Sequence, residues 1–274
     1  MYSERKVNEL SLYQNRMVVK VGTSTLTNDL EKSNLRSFDR IACVLSDIQN
    51  MGYEVILVSS GAIALGTNKL KMKTRPTSMR LKQAAAAVGQ CSIMHLYDKF
   101  FNDYDKTIAQ ILLNAEDMEM EEKKENLTNT FDALLEMGII PVVNENDSVS
   151  YTEIDSEDRL FGDNDMLSAV VAVLCRAQKL VILSDIDGFY DSDPRLYPNA
   201  KRIERINVID EDVQSFAGGA GSRRGTGGMK TKLQAANLAT SQGIDTIITN
   251  GKNPSVLYEI IKGGSVGTLF VGKR

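Results

Sequence analysis

Tryptophan is absent from the 274 residues, histidine occurs once, cysteine three times and proline five times. With His95 alone, a Ser-His-Asp hydrolase, a HExxH protease or a His-ligated iron site is hard to build. Its neighbours Ile93, Met94, Leu96 and Tyr97 read as one helix, so His95 is expected as a packed or surface residue. Cys43, Cys91 and Cys175 lie far apart in apolar segments, without a CxxC or a Cys/His cluster. That excludes a disulfide framework, makes structural zinc improbable and predicts three buried free thiols. An excess of cations is missing too: 36 Asp plus Glu face 32 Lys plus Arg, for a formal charge of −4. A nucleic-acid binder needs the opposite balance. No apolar run reaches the ~18 residues of a membrane span, and Met1 to Arg16 lacks the apolar stretch of a secretory signal. The expectation is a cytoplasmic protein with no membrane or nucleic-acid partner.

What is present is alternation. Short apolar runs predict strands at Met17–Val21, Glu54–Val58, Thr107–Leu112, Ile139–Val143, Lys179–Leu183, Asp245–Thr249 and Thr268–Val271. Between them, helical spacing predicts helices over Leu35–Met51, from Ala62, within Pro76–Tyr104, over Glu116–Met137 and Met166–Leu174, then Met229–Gln242 and Val256–Ile261. This order points to an α/β fold with a mostly parallel sheet covered on both faces. No repeat or low-complexity linker divides the chain, so one domain with two lobes is expected.

Ligands of such sheets bind beyond the carboxyl ends of the strands. Those ends carry Gly22, Thr23 and Ser24; Ser59, Ser60 and Gly61; Asn144, Asn146 and Asp147; and Ser184, Asp185 and Asp187. From Gly218 to Gly228, six of eleven residues are glycine, and Met229, Lys230, Thr231 and Lys232 then open a helix. Glycine-rich backbone converging on a helix N-terminus suits an anion, and lysine adds a point charge for phosphate. Met229 before Lys230 departs from a Walker A loop, and no GxGxxG occurs. Lys20 interrupts the apolar strand MVVKV just before the Gly22 turn. It either snorkels to solvent or meets a phosphate that Lys232 approaches from another side. Phosphoryl transfer needs cations and oriented N–H groups more than a histidine. A carboxylate acceptor, with a pKa near ~4, needs no base at all.

Ordered segments then carry a resemblance: VVKVGTSTLT (18–27), VILVSSGAIALG (55–66), AAVGQ (86–90), PVVNENDSV (141–149), FGDNDMLSA (161–169), LSDIDGFYDSDPR (183–195), GTGGMKTKLQAA (225–236) and SVGTLF (265–270). Together they resemble the amino acid kinase superfamily and, within it, the branch that phosphorylates glutamate at the start of proline biosynthesis. The resemblance implies a three-layer αβα sandwich, a kinase activity on the glutamate side-chain carboxylate, and ATP with magnesium held mainly on its phosphates rather than by protein ligands. It implies that Lys20 and Lys232 contact phosphate, with Asp165 holding both lysines. Gly22 and Gly61 would offer N–H groups to the migrating phosphoryl. Ser60, Asp147, Asn164 and Asn144 would bind glutamate, with Asp147 facing its ammonium. Ser184, Asp185 and the run Thr226, Gly227, Gly228, Met229, Lys230, Thr231 and Lys232 would bind ATP. A lobe of about 15–165 would serve glutamate and one of about 166–274 would serve ATP.

The resemblance is to a form without the C-terminal PUA domain that many members carry. It further implies proline as a feedback inhibitor and self-association as a dimer or tetramer. Asp155, Glu157 and Asp158 form either a solvated loop or a lid. The alternatives are another enzyme of the superfamily, such as an acetylglutamate kinase, aspartokinase, carbamate kinase or uridylate kinase, or a regulator that binds without catalysis. The regulator should have lost a phosphate lysine or the central aspartate; Lys20, Asp165 and Lys232 are all present.

Overall fold

A computed structural model describes residues 15–28, 32–149, 164–216 and 228–274. In chain order the first half forms β1 (Arg16–Val21), α1 (Thr23–Leu26), α2 (Leu35–Asn50), β2 (Glu54–Ser59), α3 (Ala62–Lys69) and α4 (Met79–Asn102). It continues through β3 (Ile108–Leu113), a 3-10 turn (Ala115–Met118), α5 (Glu121–Glu136), β4 (Ile140–Glu145) and α6 (Asn164–Leu174). After β5 (Lys179–Ser184) come three two-residue strands, β6 (Phe189–Tyr190), β7 (Arg202–Ile203) and β8 (Arg205–Ile206), and α7 (Glu211–Phe216). The chain closes with α8 (Met229–Ser241), β9 (Asp245–Asn250), α9 (Val256–Ile261) and β10 (Thr268–Phe270).

Eight strands make one sheet in the order β3-β4-β2-β1-β5-β9-β10-β8. All neighbours are parallel except β9 and β10. The sheet is therefore mostly parallel and buried between two helical layers, which explains why its strands read as nearly unbroken apolar runs. Strand β1 sits in the middle and is buried at every position. Its Met17, Val19 and Val21 pack with Phe38, Ile41 and Leu45 of α2 and with Ile93, Tyr97 and Phe101 of α4. Val18 faces the other layer, with Phe131 of α5, Leu167 and Val171 of α6, and Leu233 and Ala236 of α8. Side chains of a strand alternate between faces, so Arg16 and Lys20 share the α6 and α8 side with Val18. A charged residue inside an apolar strand is thereby aimed at two helix N-termini.

Helices α3 and α4 cross backbone to backbone. A Cβ added at Gly66 would lie 1.8 Å from the Ala85 carbonyl oxygen, and one at Gly89 would lie 1.7 Å from that of Ala62. Only glycine fits either position, and the close approach brings the end of the AAVGQ segment to the sheet edge.

Several expectations change. Only Cys175 is a buried thiol; Cys43 is half-buried and Cys91 is exposed, because they occupy the flank and the solvent side of amphipathic helices α2 and α4. His95, expected as a packed or surface residue, is exposed on α4. The helix expected over Glu116–Met137 is two elements. Asn114 and Asp117 form a capping box that opens the 3-10 turn, and α5 starts anew at Glu121. Residues 185–216 hold a small antiparallel pair, Phe189–Tyr190 with Arg202–Ile203, and an edge strand that sequence periodicity did not indicate. No helix among the described residues is long and apolar enough to cross a membrane.

Candidate active site

The site gathers at the carboxyl ends of β1, β2, β4 and β5. Its charged part is three buried side chains from three distant segments. Lys20 Nζ stands 2.6 Å from Asp165 Oδ1, and Lys232 Nζ stands 2.9 Å from Asp165 Oδ2. Exposure is 5% for Lys20, 7% for Lys232 and 0% for Asp165, so solvent screens none of the three effectively. Lys20 does not snorkel. Burial alone would raise the Asp165 pKa, but the charges of Lys20 and Lys232 outweigh it and hold the carboxyl well below its ordinary value. The group is ionised at neutral pH and leaves a net charge of one positive unit, which an arriving phosphate can match.

Local structure explains the convergence. Asp165 lies in the first turn of α6, where the helix dipole favours a carboxylate. Lys232 is in the first turn of α8, which starts after Gly228. The Thr231 hydroxyl lies 3.1 Å from Asp165 Oδ2 and 3.0 Å from the Gly228 carbonyl, tying that turn to the aspartate. Lys230 of the same turn is exposed and Met229 is half-buried. Thr226 and Gly227, like Asp155, Glu157 and Asp158, lie outside the described residues.

The uncharged part adjoins it through one peptide bond. Asn164 donates from Nδ2 to the Ser59 carbonyl at 3.1 Å, to Ser60 Oγ at 2.9 Å and to Asn144 Oδ1 at 3.1 Å. Asn144 in turn donates from Nδ2 to Gln90 Oε1 at 2.8 Å. The Ser59 carbonyl can only accept, so it fixes which end of Asn164 faces it and then the direction of the whole row. Gln90 has no role in the expectations, although it closes the AAVGQ segment. The small residues Ala85 and Gly89 seat α4 on α3, but nothing near Gln90 in the sequence points to Asn144, 54 positions away.

Gly61 takes φ +102° as β2 turns into α3, a conformation that strains any other residue. The Ser60 N–H bonds the Val21 carbonyl at 3.1 Å, so this turn is fastened to the end of β1 beside Gly22. A Cβ at Gly22 would lie 3.8 Å from Lys20 Nζ; the glycine keeps the ground beside the ammonium clear. Asp147 follows β4 and is half-buried, and burial pushes its pKa up to about 6. Ser184 ends β5, is 5% exposed, and its Oγ lies 3.2 Å from Oδ1 of the exposed Asp185. Because β5 pairs with β1, these two occupy the same sheet edge as Gly22. No group of three or more His, Cys, Asp or Glu side chains among the described residues could hold a metal ion.

Known proteins resemble the chain at two levels. The model of the amino acid kinase family matches residues 15–250. A glutamate 5-kinase of Clostridium perfringens is 54% identical over 259 residues, which cover 94% of this chain and 96% of that protein. The glutamate 5-kinases of Listeria innocua and Enterococcus faecalis are 49% and 48% identical, over 94% and 93% of this chain and 94% of each relative. Among solved structures, carbamate kinase from Giardia lamblia bound to AMP-PNP superposes with a TM-score of 0.67 at 15% identity, over 94% of this chain and 99% of that one. UMP kinase from Bacillus anthracis gives a TM-score of 0.65 at 16% identity, over 95% and 97%. At that identity the two structures speak to the fold alone.

Proposed function

The chain belongs to the amino acid kinase family, and from that premise we propose that it transfers the γ-phosphoryl of ATP to the side-chain carboxylate of L-glutamate, the step that opens proline biosynthesis. One observation carries the reading: two buried ammonium groups from opposite ends of the chain meet on the two oxygens of one buried carboxylate.

The chemistry asks little more. A glutamate carboxylate is already ionised at neutral pH, so no general base is needed and Asp165 is free to organise charge. Lys20 and Lys232 would draw the transferring phosphoryl between them and offset the charge that spreads over its oxygens. The N–H groups at Gly22 and Gly61 would face the same oxygens. Ser60, Asn144 and Asn164 would position glutamate, and Asp147 would face its ammonium. Ser184, Asp185 and the first turn of α8 would hold the nucleotide. Magnesium would come on the ATP phosphates and supply charge neutralisation there. In this reading residues up to about 165 serve glutamate and those from about 166 serve ATP. Cytoplasmic location, proline as feedback inhibitor and self-association as a dimer or tetramer belong to the same proposal.

An acceptor panel tests it. Purified protein with ATP, magnesium and hydroxylamine is given glutamate, N-acetylglutamate, aspartate, carbamate or UMP. Hydroxamate and ADP should form with glutamate and fall when proline is added. Turnover with another acceptor and none with glutamate would move the chain to a different branch. Nucleotide binding without product from any acceptor would make it a regulator.

A further inference from the structure

Strand β1 carries a second buried cation on the face that holds Lys20. Arg16 is 3% exposed. Its Nε donates to Glu54 Oε2 at 2.6 Å, and Nη1 donates to Asp132 Oδ1 at 2.8 Å and to the Cys175 carbonyl at 2.7 Å. The last contact matters most. Cys175 directly follows α6, and its N–H still bonds back to the Val171 carbonyl at 2.9 Å. Its own carbonyl is one of those a helix end leaves without an internal partner. Arg16 satisfies it with a cation, the sign that a helix C-terminus favours. The Arg16 carbonyl also accepts the Gln178 N–H at 2.8 Å, fastening the turn that leaves α6.

One strand thus grips one helix at both ends. Lys20 holds Asp165 at the start of α6, and Arg16 holds Cys175 at its finish. The lengths agree. Four strand residues from Arg16 to Lys20 span ~13 Å at ~3.3 Å each. Ten helical residues from Asp165 to Cys175 span ~15 Å at ~1.5 Å each. Glu54 on β2 and Asp132 on α5 hold the guanidinium from the other sides, so it cannot follow α6 if the helix slides.

We propose that Arg16 is a positioning residue for the phosphoryl site: it fixes α6 along β1 so that Asp165 stays centred between Lys20 and Lys232. This rests on reading those three residues as the phosphate clamp. The guanidinium fork is essential to the role, because the two hydrogens of Nη1 serve two acceptors while Nε serves a third. A lysine offers the charge without that geometry.

The test separates positioning from bulk stability. Arg16→Met and Arg16→Lys are each made in the unsubstituted protein and in an Asp165→Asn background. Melting temperature, affinity for AMP-PNP by calorimetry, and hydroxamate formation from glutamate are measured. Arg16→Met should weaken AMP-PNP binding about tenfold where Asp165 is present and less than about twofold where it is replaced, as coupled residues do, and in the protein that keeps Asp165 it should lower turnover about tenfold. Arg16→Lys should fall between. The fall in melting temperature should be comparable in both backgrounds. Should Arg16→Met fail to fold, Arg16→Lys gives the same comparison.

Equal fractional losses in the two backgrounds, or unchanged binding and turnover, would overturn the inference and leave Arg16 as a structural ion pair. Coupling in AMP-PNP affinity without hydroxamate from the unsubstituted protein would instead refute glutamate as acceptor while upholding the role of Arg16. Absence of AMP-PNP binding by the unsubstituted protein would refute both.

Discussion

Asn164 and Asp165 are neighbours in the chain, and the two halves of the site they begin follow opposite rules. On the Asp165 side every key group is charged, buried and answered by an opposite charge. On the Asn164 side a row of neutral amides runs to Asn144 and Gln90. In the proposed reading the difference would suit what each half receives. A phosphoryl in flight spreads negative charge and needs fixed cations. The carboxylate acceptor would approach without being trapped as an ion pair, and dipoles would orient it while leaving its oxygens nucleophilic. Charge and neutrality are kept apart by the ~100° of helix rotation between two consecutive side chains.

The most damaging change to that contrast is Asp165→Asn, which makes the charged half resemble the neutral one. Two buried lysines lose their shared partner, and removal of one member of a buried ion pair typically costs about 3–5 kcal/mol. Thermal unfolding should show a loss of that size, with turnover nearly abolished. The pH dependence has a defined sign. The Asp165 pKa is depressed in the folded protein, so its contribution is present at neutral pH and fades as pH falls below about 4. Asp165→Asn should flatten that acid limb of the stability curve. An unchanged melting temperature at neutral pH would mean that the three charges do not support one another.

Removing a cation is the next largest step. Lys232→Ala and Lys20→Ala should each lower kcat about 100- to 1,000-fold, the usual effect of losing one donor to a developing anion. The glutamate KM should move little by comparison, because the amide row is intact. Near-normal kcat in either variant would dissolve the distinction between the halves. On the neutral side, Asn144→Leu should do the converse. It strands the Gln90 carbonyl that Asn144 now satisfies and removes one of the three acceptors of the Asn164 amide. The glutamate KM should rise about tenfold, the effect of one stranded polar group, with the ATP KM little altered.

Much of the architecture was legible from sequence, for a physical reason. Strands buried on both faces appear as apolar runs, and amphipathic helices carry a period. Val256–Ile261 was read to the residue, and Lys179–Leu183 and Asp245–Thr249 each to within one. Residues 185–216 were not, because strands of two residues, β6, β7 and β8, are too short to show any alternation. For the site, the sequence could place Lys20 at a strand end but could not tell a snorkelling lysine from a buried one. That depends on a counter-charge 145 positions away, and only the resemblance pointed to Asp165. Gln90 and Arg16 were silent for the same reason: their partners, Asn144, Asp132 and the Cys175 carbonyl, are distant in sequence. A hydroxyl such as that of Thr231 has several possible acceptors, and only the fold brings Asp165 among them.

Asp147, which follows the end of β4 close to Asn144 in the chain, is the carboxylate that the proposed reading adds to the amide side, and it gives the gentlest test of the contrast. Burial has raised its pKa to about 6, which means the charged form is uncomfortable there without a cation. Glutamate differs from a simple dicarboxylate in carrying an ammonium, and that ammonium would reverse the shift. Binding should then favour the ionised Asp147 and expel a proton whenever the free protein holds one. Below about pH 6 the glutamate KM should rise about tenfold for each unit of pH, and above it the KM should be level; glutamate itself does not titrate between pH 5 and 7. The kcat at saturating glutamate should be less sensitive, since Asp165 stays ionised throughout that range. Asp147→Asn should raise the KM at pH 7.5 and remove its slope. A KM that is flat from pH 5 to 7 in the unsubstituted protein would place Asp147 away from the ammonium, and the neutral half of the site would then need another way to tell an amino acid from a bare diacid.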